Sequence, residues 1–150
     1  KPLAQPTVAG STPVLPAQVA PGAACQRRIL MNTIDGKLIA LDADNGKFCP
    51  DFGTNGSVNL HEGMGDASDP TYVLTSAPTL AGTTVVVGGR VADNVSTDMP
   101  GGVIRGYDVI TGQLRWAFDP RNPDPNYVLK PGEHYKRSSA NSWAPMSWDA

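Results

Sequence analysis

Short apolar runs bounded by turn residues divide this chain into segments of strand length. Residues 28–34 and 37–42 are β-compatible runs, and Asp35-Gly36 between them is the dipeptide that a type I′ hairpin turn requires. The next turn, 43–46, carries Asn45 and Gly46, residues that tolerate left-handed backbone. Phe48 is predicted to begin an outer strand, and the Gly- and Asp-rich stretch 50–72 reads as a long connection. Residues 76–80 form a short strand whose Pro78 suggests a strand end. Ala81-Gly82 turns the chain into 83–87, a β-branched apolar run of the kind found in a central strand covered on both faces. An irregular polar loop follows at 89–102, then a strand at 103–108, a turn at Thr111-Gly112 and a strand at 113–118. No window offers an amphipathic helix, so the expected fold class is all-β.

The chain also repeats itself. Asp42-x-x-x-Gly46 recurs 66 residues later as Asp108-x-x-x-Gly112, and Ala77-Pro78 recurs 67 residues later as Ala144-Pro145. Four-stranded units at a fixed spacing are the signature of a β-propeller, here with a long period because the connecting loops are long. Residues 1–24, with five prolines and no periodicity, read as a linker or surface strap. Residues 25–74 are then the end of one blade plus a connection, and 75–120 a complete four-stranded blade. Residues 121–150 are a connection and the first strand of the next blade. A propeller needs at least four blades to close, so the expectation is a fragment of a larger protein.

Composition changes this picture little. At 40% hydrophobic and 17% charged residues, with net charge −2, the chain suits a soluble globular unit and carries no basic footprint for nucleic acid. No apolar stretch approaches the ~20 residues needed to cross a bilayer, and the opening residues lack the charged-then-apolar order of a signal peptide. Cys25 and Cys49 are too few for a zinc site, and no C-x-x-C-H occurs for haem attachment. Counting alone leaves two unrelated buried thiols as open as a disulfide. Placement favours the disulfide, because both cysteines fall at the same end of the first hairpin. Such a bridge would stabilise the fold by about 3.5 kcal/mol and imply an oxidising compartment.

Blade topology points to one face for chemistry. The loop between the second and third strands of a blade emerges beside the connection from its last strand to the next blade. Asp93 and Asn94 should therefore share a face with Asn141 and Trp143. Carboxylate and amide oxygens at Asp93-Asn94 suit calcium or magnesium, although Asp and Asn also serve simply to form turns. The loop's length exceeds the usual hairpin range, which favours function. Trp143 offers a flat face to a planar ligand, or a core tryptophan between blades. Trp116, four residues after Gly112, reads as a blade-packing aromatic. Arg90, Arg105 and Lys136 offer charge to an anionic ligand, but lone basic residues are more often solvated surface. His61 and His134 have no partner at metal-ligand spacing.

The run Asp108-Val-Ile-Thr-Gly-Gln-Leu-Arg-Trp116 resembles the tryptophan docking motif of the pyrroloquinoline-quinone (PQQ)-dependent dehydrogenases, in which eight blades surround the quinone. Four further segments resemble the membrane-bound quinoprotein glucose dehydrogenases: Asp93-Asn94 with Ser96-Thr97, Gly102 to Gly106, Trp116 to Pro120, and Asn141 to Pro145. The resemblance covers about residues 25–150. It implies roughly two blades of an eight-bladed propeller on the periplasmic face of the bacterial inner membrane, held there by segments outside this chain. It further implies oxidation of glucose and related aldoses to the lactone, with electrons passed to ubiquinone. Trp143 matches the tryptophan under the quinone ring, Asn141 a polar residue contacting the quinone, and Asp93 or Asn94 a ligand of the Ca2+ or Mg2+ beside it. The family's general-base aspartate and quinone-contacting lysine lie in later blades, so no catalytic residue is expected here. Two departures stand out: Pro50 where the first repeat's motif would place tryptophan, and Gly106 where alanine is usual. A non-catalytic periplasmic propeller scaffold and a quinoprotein alcohol dehydrogenase are the alternative readings.

Overall fold

Nine strands in three antiparallel sheets organise the described part of the chain, which comprises residues 19–67, 71–122, 124 and 127–149 of a computed structural model. Most of the expected strap at 1–24 lies outside these residues, as does Ala150. The first sheet has the order β1 (Arg28–Asn32), β2 (Lys37–Asp42), β3 (Ser57–Asn59). The hairpin β1–β2 forms as its pattern predicts, but its turn is not type I′. That type needs positive φ at both central residues, and of the two only Gly36 is left-handed, at +75°. Asp35 carries a Cβ and stays out of that region. The hairpin closes instead through Thr33 N–H to the Lys37 carbonyl (2.8 Å) and Gly36 N–H to the Thr33 carbonyl (3.1 Å).

The outer position beside β2 also differs from expectation. Phe48 makes only an isolated bridge to Leu41, and β3 takes the edge. Cys49 N–H bonds to the Ala40 carbonyl, and Pro50 then has no N–H with which to extend the ladder. The stretch 50–72 is therefore not a plain connection, since it holds β3 and the start of a small ribbon. In that ribbon β4 (Tyr72–Val73) pairs with β7 (Arg90–Val91), closing the base of the long loop.

The third sheet is the four-stranded unit read from the sequence: β5 (Thr79–Ala81), β6 (Thr84–Val87), β8 (Ile104–Asp108) and β9 (Leu114–Phe118), in that order. Its central strands are buried, as the apolar run 83–87 requires. Gly106 pairs with Trp116, and a Cβ on Gly106 would stand 2.3 Å from the indole. The departure from alanine thus makes room for the ring.

Both copies of the D-x-x-x-G turn close the same way. Gly46 N–H reaches the Asp42 carbonyl at 2.8 Å and Gly112 N–H the Asp108 carbonyl at 2.9 Å, with both glycines left-handed. Asp42 and Asp108 are buried, and each carboxylate accepts the N–H two residues on, at 2.8 Å. Cys25 and Cys49 form the expected disulfide, with both residues buried and a Cα–Cα distance of 5.8 Å. Residues 141–149 carry no strand. They nonetheless lie beside β5, because Ser76 Oγ donates to the Trp143 carbonyl and Thr79 Oγ1 to the Met146 carbonyl (3.0 Å). Each of these pairs is 67 residues apart, the offset of the sequence repeat.

Candidate functional site

The long loop is anchored near its start by the β4–β7 pairing and pinned on both flanks by glycines. A Cβ on Gly88 would stand 2.2 Å from the Ser142 carbonyl oxygen, and one on Gly102 2.2 Å from that of Ala140. A Cβ on Gly101 would meet the Lys136 carbonyl at 2.8 Å. Only residues without side chains let segment 136–142 press its backbone into the loop. Hydrogen bonds complete the seam: Ser138 N–H to the Met99 carbonyl, Ser142 N–H to the Gly89 carbonyl, and Ser142 Oγ to the Gly102 carbonyl. Sequence reading missed these contacts. The available signal was the pair of Gly-Gly dipeptides, 88–89 and 101–102, at the two ends of one loop.

Asn141 lies in this seam. Its Oδ1 accepts the Val91 N–H at 3.2 Å, and its Nδ2 donates to the Val91 carbonyl at 2.7 Å and to Asp93 Oδ1 at 2.8 Å. Two residues placed on one face by topology alone are therefore in direct contact. Asp93 and Asn94 are exposed, and Asn94 sits at φ +58°, a left-handed conformation that asparagine tolerates. Trp143 follows Asn141 by two residues and is 52% exposed, with its carbonyl tied to Ser76. The seam thus joins the loop of Asp93 and Asn94 to the segment that carries the exposed Trp143. Carboxylate and amide oxygens suit a divalent cation, and an open indole suits a planar ligand. Two such oxygen-bearing side chains are fewer than the 6–8 oxygens that calcium takes, so they would supply at most part of a coordination shell.

The other candidates resolve differently. Arg105 is not at the surface: it is 2% exposed, donating to the Leu60 carbonyl (2.5 Å), the Glu62 carbonyl (3.2 Å) and Tyr72 Oη (3.3 Å). Its Nε has no partner among the described residues, and the guanidinium lies 6.0 Å from the Tyr107 ring centroid. Burial pushes the Tyr107 hydroxyl up to about 12. Arg90 is half-buried on β7. His61 packs edge-on to Tyr72 with its Nε2 buried and without a partner among the described residues, a core role. Lys136 and His134 help line a surface cavity of about 300 Å³ with Asp119, Arg121, Asn122 and Tyr127. That cavity contains none of Asp93, Asn94, Asn141 or Trp143. Among the described residues, one trio of His, Cys, Asp or Glu is close enough to share an ion, Cys25, Cys49 and Asp51. Its two sulfurs are bonded to each other, which removes them as ligands.

Comparison with known proteins identifies the family of the chain. The model of one family, "PQQ: Glucose/ethanol/alcohol dehydrogenase, beta-propeller domain", matches residues 8–150. The quinate/shikimate dehydrogenase (quinone) of Acinetobacter baylyi is 68% identical over 99% of this chain, which spans 18% of that protein. A probable quinate dehydrogenase (quinone) of Xanthomonas campestris pv. juglandis is 53% identical over 99% of the chain, which spans 19% of it. Quinoprotein glucose dehydrogenase A of Acinetobacter calcoaceticus is 48% identical over 84% of the chain, with 16% of that protein covered. The chain thus spans less than a fifth of each of these relatives.

Proposed function

We propose a function from the premise that this chain belongs to the PQQ glucose/ethanol/alcohol dehydrogenase β-propeller family. The protein of which it forms part oxidises a hydroxyl-bearing carbon of its substrate to the carbonyl, giving up two electrons and two protons, and the electrons pass to ubiquinone. An alicyclic polyhydroxy acid of the quinate or shikimate type is the favoured substrate. The two relatives bearing those names are 68% and 53% identical over nearly the whole chain, against 48% over 84% for the glucose dehydrogenase. An aldose such as glucose is the second reading, on the motif resemblance of Asp93-Asn94 and of Asn141 to Trp143.

The observation that carries the site is the Asn141–Asp93 hydrogen bond, which joins the loop of Asp93 to the segment of Trp143. Asp93 and Asn94 would hold Ca2+ or Mg2+, and Trp143 would lie against the quinone. Bound there, PQQ supplies a two-electron acceptor whose carbonyl the cation polarises. The chain's own contribution is positional: it fixes an oxygen donor set and an aromatic wall at one end of the propeller. The buried Cys25–Cys49 disulfide supports the periplasmic face of the bacterial inner membrane as the location. No helix among the described residues is long and apolar enough to cross a membrane; the reading assigns membrane attachment to segments outside this chain.

The test uses the full-length protein, stripped of cofactor, reloaded with PQQ and either Ca2+ or Mg2+, and assayed on quinate, shikimate and glucose with a ubiquinone analogue as acceptor. PQQ-dependent oxidation fastest on quinate or shikimate is the expected result. A preference for glucose would install the aldose reading. No PQQ-dependent turnover of any of the three would favour a non-catalytic propeller. Residues 1–150 alone should show no activity.

A further inference from the structure

The amide of Asn141 has no donor to spare. An asparagine offers two N–H groups and one carbonyl oxygen. Here both N–H groups are taken, by the Val91 carbonyl and by Asp93 Oδ1, and Oδ1 accepts the Val91 N–H. The side chain behaves as a piece of main chain, closing a two-bond bridge with Val91 and using its remaining N–H to hold one carboxylate oxygen. The N–H pairing to Val91 also fixes which end of the amide is oxygen. Asp93 Oδ2 has no protein partner among the described residues, so the clamp leaves one oxygen of a fixed carboxylate open.

We infer that Asn141 is a positioning residue that acts through Asp93 and makes no contact with the quinone. This inference rests on the reading of Asp93 as a cation ligand and goes beyond it. It replaces the quinone contact implied for Asn141 by the family resemblance. An unclamped Asp93 at the exposed tip of a loop would sample several rotamers, and each must be given up when a ligand binds. The hydrogen bond removes that freedom beforehand. It also orients the carboxylate with one oxygen committed, so a cation is met in a single-oxygen mode.

The test is a double-mutant cycle in the full-length protein. PQQ affinity of the Ca2+-loaded apo-protein is read from quenching of intrinsic tryptophan fluorescence, with apo-protein thermal midpoints as a check on folding. Asn141→Ala should weaken PQQ binding about tenfold and Asp93→Ala by more, and the double variant should bind no worse than Asp93→Ala alone. A tenfold loss from Asn141→Ala that persists in the Asp93→Ala background means direct contact and overturns the inference while leaving the cation-site reading intact. An unchanged affinity in Asp93→Ala overturns both. Asn141→Asp covers the case in which the alanine variant folds poorly. It keeps the acceptor for Val91 N–H but sets a second carboxylate against Asp93. Its loss should therefore be largely relieved in the Asp93→Ala background, and a loss of the same size in that background also overturns the inference.

Discussion

Arg105 is fully buried and, among the described residues, lies within salt-bridge distance of no carboxylate. Its charge is solvated by carbonyls and tyrosines instead, an arrangement that suits a planar, delocalised guanidinium and not an ammonium. Arg105→Met should therefore strand the Leu60 and Glu62 carbonyls at a cost of about 1–3 kcal/mol each. Arg105→Lys should recover only part of this, as read from the thermal midpoint of the full-length protein. Asp108 is the second residue whose charge shapes the fold. Burial would raise its pKa, but N–H groups of Thr111 and Ile110 and the Arg115 guanidinium prevail and hold it below the usual carboxylate range. The backbone N–H groups of Asp44 and Cys25 do the same for Asp42 in the other copy of the turn. A carboxylate whose folded pKa is depressed contributes stability above its unfolded value near 3.9 and loses it as pH falls through the folded one. The thermal midpoint should thus fall steeply below about pH 4. Asp108→Asn, which keeps the acceptor but not the charge, should flatten that fall.

At the scale of elements, the loop 88–102 and the segment 136–142 fold as one unit because glycines allow their backbones to touch. Gly102→Ala would bring a Cβ against the Ala140 carbonyl oxygen, and this is backbone that cannot swing away as a side chain does. The expected outcome is a displaced segment 140–143: weaker PQQ binding, altered Trp143 fluorescence, and a smaller change in global stability. Gly46→Ala, strained by its left-handed φ but facing open space, should lower stability and leave PQQ binding unchanged. What was legible in the sequence follows the same division between local and distant causes. The β1–β2 hairpin, the four-stranded sheet and both D-x-x-x-G turns depend on short β-compatible runs and turn chemistry within a few residues. Strands β3, β4 and β7 are two or three residues long and exist only because distant backbone meets them, so no local pattern announces them. The burial of Arg105 is likewise set by carbonyls over 40 residues away. Topology sufficed to put Asp93 and Asn141 on one face. That the Asn141 amide would be consumed by Val91 depends on a register no single segment encodes.

For the molecule as a whole, apolar surface shows where the described residues expect company. Ile29 and Met31 on β1, Trp116 and Phe118 on β9, and Trp143 and Trp148 are each between a third and two-thirds exposed. In a β-propeller domain such faces are where one blade meets the next, which is consistent with a chain spanning less than a fifth of its relatives. Within the chain, one joint between the first sheet and the four-stranded sheet lies at the turn after β8. Arg28 donates to the Cys25 carbonyl (2.9 Å) and the Ile110 carbonyl (2.8 Å) and pairs with Asp51, while Gly53 N–H reaches the Thr111 carbonyl (2.8 Å). The Cys25–Cys49 disulfide ties together the two stretches that make this joint. Its loss should act twice. Globally, Cys25→Ser/Cys49→Ser should lower stability by about 3.5 kcal/mol from the freed unfolded chain. Locally, the joint should loosen, so the amides of Cys49 and Gly53, which bond to Ala40 and Thr111, should lose hydrogen-exchange protection before those of β6 and β8. Thiol reductant should reproduce both effects in the unsubstituted full-length protein. Unchanged exchange at Gly53 alongside a lowered thermal midpoint would confine the disulfide to the unfolded-chain term and remove it from the joint.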